Sequence, residues 1–234
     1  MPKPAAATKE DWEAHLAREE ARYRDGEARL RDPAEDSDPA HPDSRQRQLT
    51  RLGNAAGGAG LAMLMLGRRD EAAGWFERAA ERYHESFQDA PPGSWGRPIG
   101  AMKALILAGD WAKAEDAARW ALGAGAADSD SPIGRYAAAL ALLVLDRPAD
   151  AREHADAIRT RNDFPSDVGD ALAFLAAQDV AGYETAVESV LESFETREEY
   201  LEDLPIADTV LVLQALAEQR RMAAELDSPL LPRS

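Results

Sequence analysis

Between positions 53 and 86 the chain reads GNAAGGAGLAMLMLGRRDEAAGWFERAAERYHES, and this stretch limits what the rest can fold into. Its first half is small and apolar on every side, so a helix there must be buried all round. Gly67 stops it. Asp70 and Glu71 then give a fresh N-terminal signal, and Ala72, Trp75, Phe76, Ala79 and Tyr83 fall on one face of a second, amphipathic helix. The unit is a helical hairpin whose first member is interior and whose second is half-exposed.

The pattern recurs, which makes it the organising feature of the whole chain. Ala101 to Ala108 is apolar, Gly109 breaks it, and DWAKAEDAARWAL sets Ala114, Ala118 and Ala121 at the spacing of Ala72, Phe76 and Ala79. A third copy starts with Pro132 in a first helical turn after Ser131, runs apolar to Leu145 and continues as RPADAREHADAI, with Ala151 and Ala155 in register. A fourth is degenerate: Val168 to Ala177, then VAGYETAVESVLESF, with Tyr183 and Val187 at the equivalent places. The steps Ala72→Ala114, Ala114→Ala151 and Ala151→Tyr183 are 42, 37 and 32 residues, as expected when only the interlocking small residues are constrained. A final apolar helix, 205–217, closes the array, and no stretch alternates with period two long enough for a strand.

Gly60, Gly67, Ala72, Phe76 and Ala79 occupy the small and aromatic positions of a tetratricopeptide repeat, which the stretch resembles. The resemblance implies an all-α fold: a right-handed helical-hairpin (tetratricopeptide-like) solenoid of about four to five hairpins forming one domain over residues 1–234. The parts are a charged N-terminal helix (8–31), an acidic loop (32–44), the hairpins (45–219) and a tail (220–234). The charged helix carries a thin stripe of Trp12, Leu16, Tyr23 and Leu30, suited to lying across the end of a stack, and Thr8 with Asp11 forms an imperfect capping box. The loop lacks the spaced ligand order of a calcium site and reads as a solvated linker.

Net charge is −16 and the sequence pI about 4.7, with Lys only at 3, 9, 103 and 113. Such a balance repels nucleic acid and anionic membrane, since both are bound by replacing counterions with Lys and Arg. The acidic, Lys-poor, Ala-rich composition also resembles that of halophilic proteins from salt-in cytosols. No apolar run approaches the ~20 residues of a membrane-spanning helix, and the N-terminus carries no apolar signal region, so the expected location is cytoplasmic. Cysteine is absent, which removes thiolate ligands and cysteine nucleophiles.

No catalytic constellation emerges. The glycines of GNAAGGAG lack the Lys-Ser/Thr of a P-loop and the preceding strand of a dinucleotide fingerprint. His15, His41, His84 and His154 sit in separate segments without a second ligand at helical spacing. The expectation is therefore a chain that is not an enzyme, with no cofactor and no metal.

Binding residues are sought on the inner helices and in the loop APPGSWGRPIGAMK, where Trp95 and Arg97 are residue types enriched at hot spots. The alternative for Trp95 is a plug between the first and second hairpins, with Arg97 paired to a surface carboxylate. On the first helices the register exposes Asn54, Lys103 and Tyr136, with Arg51 and Arg135 close by. The positions of the tetratricopeptide carboxylate clamp hold Gly57, Leu61, Ile99 and Lys103, so that clamp is not expected.

The C-terminal third, DVGDALAFLAAQDVAGYETAVESVLESF followed by LPIADTVLVLQALAEQRRMAAELDSPLLP, resembles the end of the immunity 49 family of polymorphic-toxin systems. It departs from that pattern at Arg221-Met222, where Gly and an apolar residue are expected. The resemblance implies an all-α protein that neutralises a toxin by binding it. Together these readings give a non-catalytic protein-binding scaffold, with another protein as partner, no nucleic acid and no membrane. The alternative is a self-assembling homo-oligomer that uses the charged first helix or the final apolar helix as a symmetric interface.

Overall fold

The computed structural model describes residues 7–32, 44–197, 200 and 204–233. Most of the acidic loop, with His41, lies outside the described residues. The order is α1 Lys9–Arg31, α2 Arg45–Met65, α3 Arg69–Phe87, α4 Gly96–Ala108 and α5 Trp111–Gly123, then a 3-10 turn at Ala126–Asp128. It continues with α6 Pro132–Val144, α7 Pro148–Arg159, α8 Ser166–Ala177, α9 Val180–Glu195 and α10 Asp208–Glu218. Among the described residues there is no strand, and no helix is long and apolar enough to cross a membrane. Each helix from α1 to α9 packs on the next in the chain.

The hairpins share one stop. Gly67, Gly109, Asp146, Gln178 and Arg221 all have left-handed backbone, with φ of 74°, 75°, 53°, 55° and 58°. Each follows a first helix and closes it with the same two bonds, as at Gly67 N–H to Leu64 O (3.0 Å) and Arg68 N–H to Met63 O (2.9 Å). This is the Schellman arrangement, which satisfies two orphan carbonyls at a helix end. The second helices share one start. Ala72, Ala114, Ala151 and Tyr183 each donate their N–H to the carbonyl four residues earlier, at Arg68, Asp110, Arg147 and Asp179. All four are fully buried, as are Phe76, Ala118, Ala155 and Val187 one turn on. The register read from the sequence is the register of the fold.

Small residues are where helices cross. A Cβ on Gly60 would come within 2.7 Å of the Phe76 ring, so α2 and α3 touch backbone to ring, at a distance only glycine permits. Gly58 lies under Glu19 of α1, where a Cβ would come 3.0 Å from the side chain. Glu19 is fully buried, its carboxylate held by Arg18 at 3.0 Å and Arg22 at 2.9 Å. On α1 the stripe of Trp12, Leu16 and Tyr23 is buried, and the Thr8–Asp11 capping box is complete in both directions.

The last helix does more than cap the stack. α10 packs on α8 and α9 but also on α4, and Arg220 beyond its end donates to the carbonyl of Leu143 on α6 at 2.6 Å. α10 and the residue just beyond it together reach the first helices of three successive pairs. The tail does not simply trail away: Met222 and Leu230 are buried, and Leu230 O accepts from Ala207 N–H. The apolar residues of the two end helices pack within the chain, Trp12, Leu16 and Tyr23 on α1 and Val210, Val212, Leu213 and Leu216 on α10.

Candidate functional site

The crossing of α10 leaves a cleft of about 650 Å³ between the first helices and the segment leading into α10. One wall is α2, from Thr50 to Leu61, and the floor is α4, from Gly96 to Leu107. Ile133 and Tyr136 of α6, Phe164 in the α7–α8 turn and Arg197 after α9 complete the far side, and Leu204 to Thr209 form the rim.

Local packing decides which side chains enter it. Gly53 and Gly100 receive opposite edges of the Tyr83 ring: a Cβ on the first would lie 2.8 Å from it and on the second 2.7 Å. The ring is held between α2 and α4, and its hydroxyl donates to Asn54 Oδ1 at 2.9 Å. Gly57, one turn further along α2, would meet nothing within 4 Å, so the cleft deepens there.

Lys103 points from α4 to the N-terminus of α10, where its ammonium donates to Asp208 Oδ2 at 2.5 Å and Thr209 Oγ1 at 3.3 Å. Burial pulls this amine down, but the Asp208 carboxylate and the Tyr136 oxygen outweigh it and hold the pKa above the ordinary value. Asp208 also sits in the first turn of its helix, where the dipole favours negative charge. Tyr136 is 9% exposed, with its ring 5.5 Å from that of Phe164. Burial pushes the phenol up, so it remains a hydrogen-bond donor at ordinary pH.

Arg97 binds across helices: Nε donates to Ser86 Oγ of α3 at 3.1 Å and NH2 to Gln46 Oε1 of α2 at 2.5 Å. Both partners are neutral. The surface carboxylate expected for Arg97 is not among its described partners, and burial alone pulls its guanidinium below the usual value.

Four of the seven residues expected to bind a partner, Asn54, Arg97, Lys103 and Tyr136, therefore come together in one cleft. The other three do not. Trp95 is 8% exposed, with its ring 6.4 Å from Phe87 and its Nε1 close to Gly134; it plugs the junction of α3, α4 and α6. Arg51 is exposed on α2 away from the cleft lining, and Arg135 pairs with Asp130 at 3.2 Å. Sequence reasoning missed Asp208, Thr209, Arg197, Phe164 and Tyr83. Only Tyr83 had a signal, as the large residue facing two small-residue helices.

The described histidines are separate: His15 lies against Trp12, His84 against Trp120, and His154 is buried in α7. Among the described residues no group of three or more His, Asp or Glu is placed to hold a metal. A second hollow, of about 270 Å³, lies between α3 and α5 beside Glu77, Glu81, Lys113 and Trp120. Comparison with protein-family models, with curated proteins and with solved structures finds no match for the chain.

Proposed function

We propose that the chain is a non-catalytic, tetratricopeptide-like scaffold that binds another protein through the α2–α4–α6 cleft, acting in the cytoplasm as an immunity protein that neutralises a toxin. The observation that carries this reading is the gathering of Asn54, Arg97, Lys103 and Tyr136, from the first helices of three successive hairpins, into one cleft. Clefts with mostly apolar walls and a few convergent polar groups are the usual form of a recognition site. What the arrangement offers is hydrogen-bond donors on a rigid frame, which suits holding a group in place. The −16 exterior adds long-range attraction for a basic partner, chiefly by accelerating encounter.

Affinity capture from the source lysate, at low and high salt, tests the proposal. The wild-type protein is compared with Gly57→Phe, which fills the cleft from a position where a side chain meets nothing. A protein recovered by the wild type and lost with Gly57→Phe supports it. Recovery of no protein at either salt, or equal recovery by both forms, sinks it.

A further inference from the structure

Among its described lining residues the cleft carries a charge opposite in sign to that of the molecule. Arg97, Lys103 and Arg197 line it, against Asp208 and Asp163. Asp208 is taken by Lys103, and Asp163 is held from outside the lining by Nε and NH2 of Arg161, at 2.7 and 2.8 Å. Arg97 is half-buried with only neutral hydrogen-bond partners among the described residues. This lining favours an anion over a cation.

Two donors are ready for such an anion. An ammonium has three N–H groups, and Asp208 and Thr209 take two of those on Lys103. The Tyr136 hydroxyl, on a side chain nine-tenths buried and lining the same cleft, makes no hydrogen bond to any described residue. Around this polar pair the walls are apolar, formed by Leu61, Ile99, Leu107, Val168, Phe194 and Ile206. The cleft follows α2 for the eleven helical steps from Thr50 to Leu61, about 16 Å at 1.5 Å per step.

We infer that the cleft takes an elongated organic acid, a medium-chain aliphatic carboxylate, with its head on Lys103 and Tyr136 and its chain along α2. The inference rests on the cleft being a recognition site, as proposed above, and names the chemistry it recognises.

Isothermal titration with sodium decanoate tests it, with decyltrimethylammonium chloride as the cationic chain of equal length. Decanoate binds one to one, at least tenfold more tightly than the ammonium compound. Tyr136→Phe, which keeps the ring beside Phe164, weakens decanoate about fivefold to tenfold, and Gly57→Phe abolishes its binding. Equal affinity for the two chains, undiminished binding to Gly57→Phe or no binding of decanoate each overturns the inference. If decanoate fails while lysate capture remains sensitive to Gly57→Phe, the acid is wrong and the cleft stands as a protein-recognition site. If decanoate binds as expected and no protein is captured, the partner reading falls and the acid remains.

Discussion

Lys103 and Asp208 stand 105 positions apart in the chain and meet at 2.5 Å, fastening the start of α10 to the middle of α4. Both side chains are largely buried, at 18% and 29% exposure, so solvent screens the pair less than an ion pair on the surface. Lys103→Met leaves a carboxylate in a half-dry site and is expected to cost about 1–3 kcal/mol in chemical denaturation. The double variant with Asp208→Leu is expected to cost less than the two single changes summed, because neither partner is then left alone. The folded Lys103 has a raised pKa, so its contribution is fully present below about 10.5 and is lost as pH rises through the folded value. Burial raises Tyr136 as well, and that adds to the loss above pH 10. Additive single and double changes would show that the clasp contributes nothing of its own.

Two glycines one turn apart on α2 make a sharper test of how the helices touch. Gly57 has open space where a Cβ would go, and Gly60 has the Phe76 ring at 2.7 Å. Gly57→Ala is expected to stabilise by about 0.5–1 kcal/mol, by removing backbone freedom from the unfolded chain. Gly60→Ala is expected to destabilise by about 1–3 kcal/mol, since Phe76 is itself fully buried and has no room to move. Thermal melts of the two variants should move in opposite directions. Shifts of the same sign would mean that α2 and α3 do not meet at this distance.

The hairpins were legible because one physical demand repeats in them. Ala72, Ala114, Ala151 and Tyr183 sit at one register, and the residues four and seven places later are buried in every copy. Periodicity reports such local geometry directly. The path of α10 was not legible. Its residues, DTVLVLQALAE, announce a buried helix, and burial against α8 alone would satisfy that pattern as well as burial across α4. What selects the second is the long-range meeting of Asp208 with Lys103 and of Arg220 with Leu143 O, for which a single chain carries no local signal. The same reason hid half of the cleft, since Phe164, Arg197 and Thr209 acquire their place only when α10 folds back.

The shared left-handed stop predicts which copies bear strain. Gly67 and Gly109 adopt positive φ freely, whereas Asp146, Gln178 and Arg221 do so with a Cβ. For such residues the conformation costs on the order of 1 kcal/mol. Gln178 is exposed and has no side-chain bond among the described residues, so Gln178→Gly is expected to stabilise by about 0.5–1 kcal/mol. Gly67→Ala, with open space around its Cβ, is expected to cost about 1 kcal/mol from backbone strain alone. Urea midpoints for the two variants check this, and a destabilised Gln178→Gly would show that the strain lies elsewhere.

His154 gives the fold an acid-sensitive point. It is buried on α7, and its Nδ1 finds no partner among the described residues. Burial, with a smaller push from Arg135, holds its pKa below the ordinary 6.5; the nearby carboxylates of Glu153, Asp150 and Asp128 oppose the shift only in part. Above pH 6.5 the imidazole is neutral in both the folded and the unfolded chain and adds no pH dependence. As pH falls below 6.5 the unfolded chain takes up the proton first, so it binds more protons than the folded one and stability declines. The decline ends once pH passes below the folded value, and its slope is at most about 1.4 kcal/mol per pH unit. His154→Leu keeps an apolar body of similar reach and removes the titration. Its stability, followed by denaturant unfolding from pH 7.5 to 5, is expected to be flatter than that of the wild type. Parallel curves for the two proteins would move the acid-sensitive group to another residue.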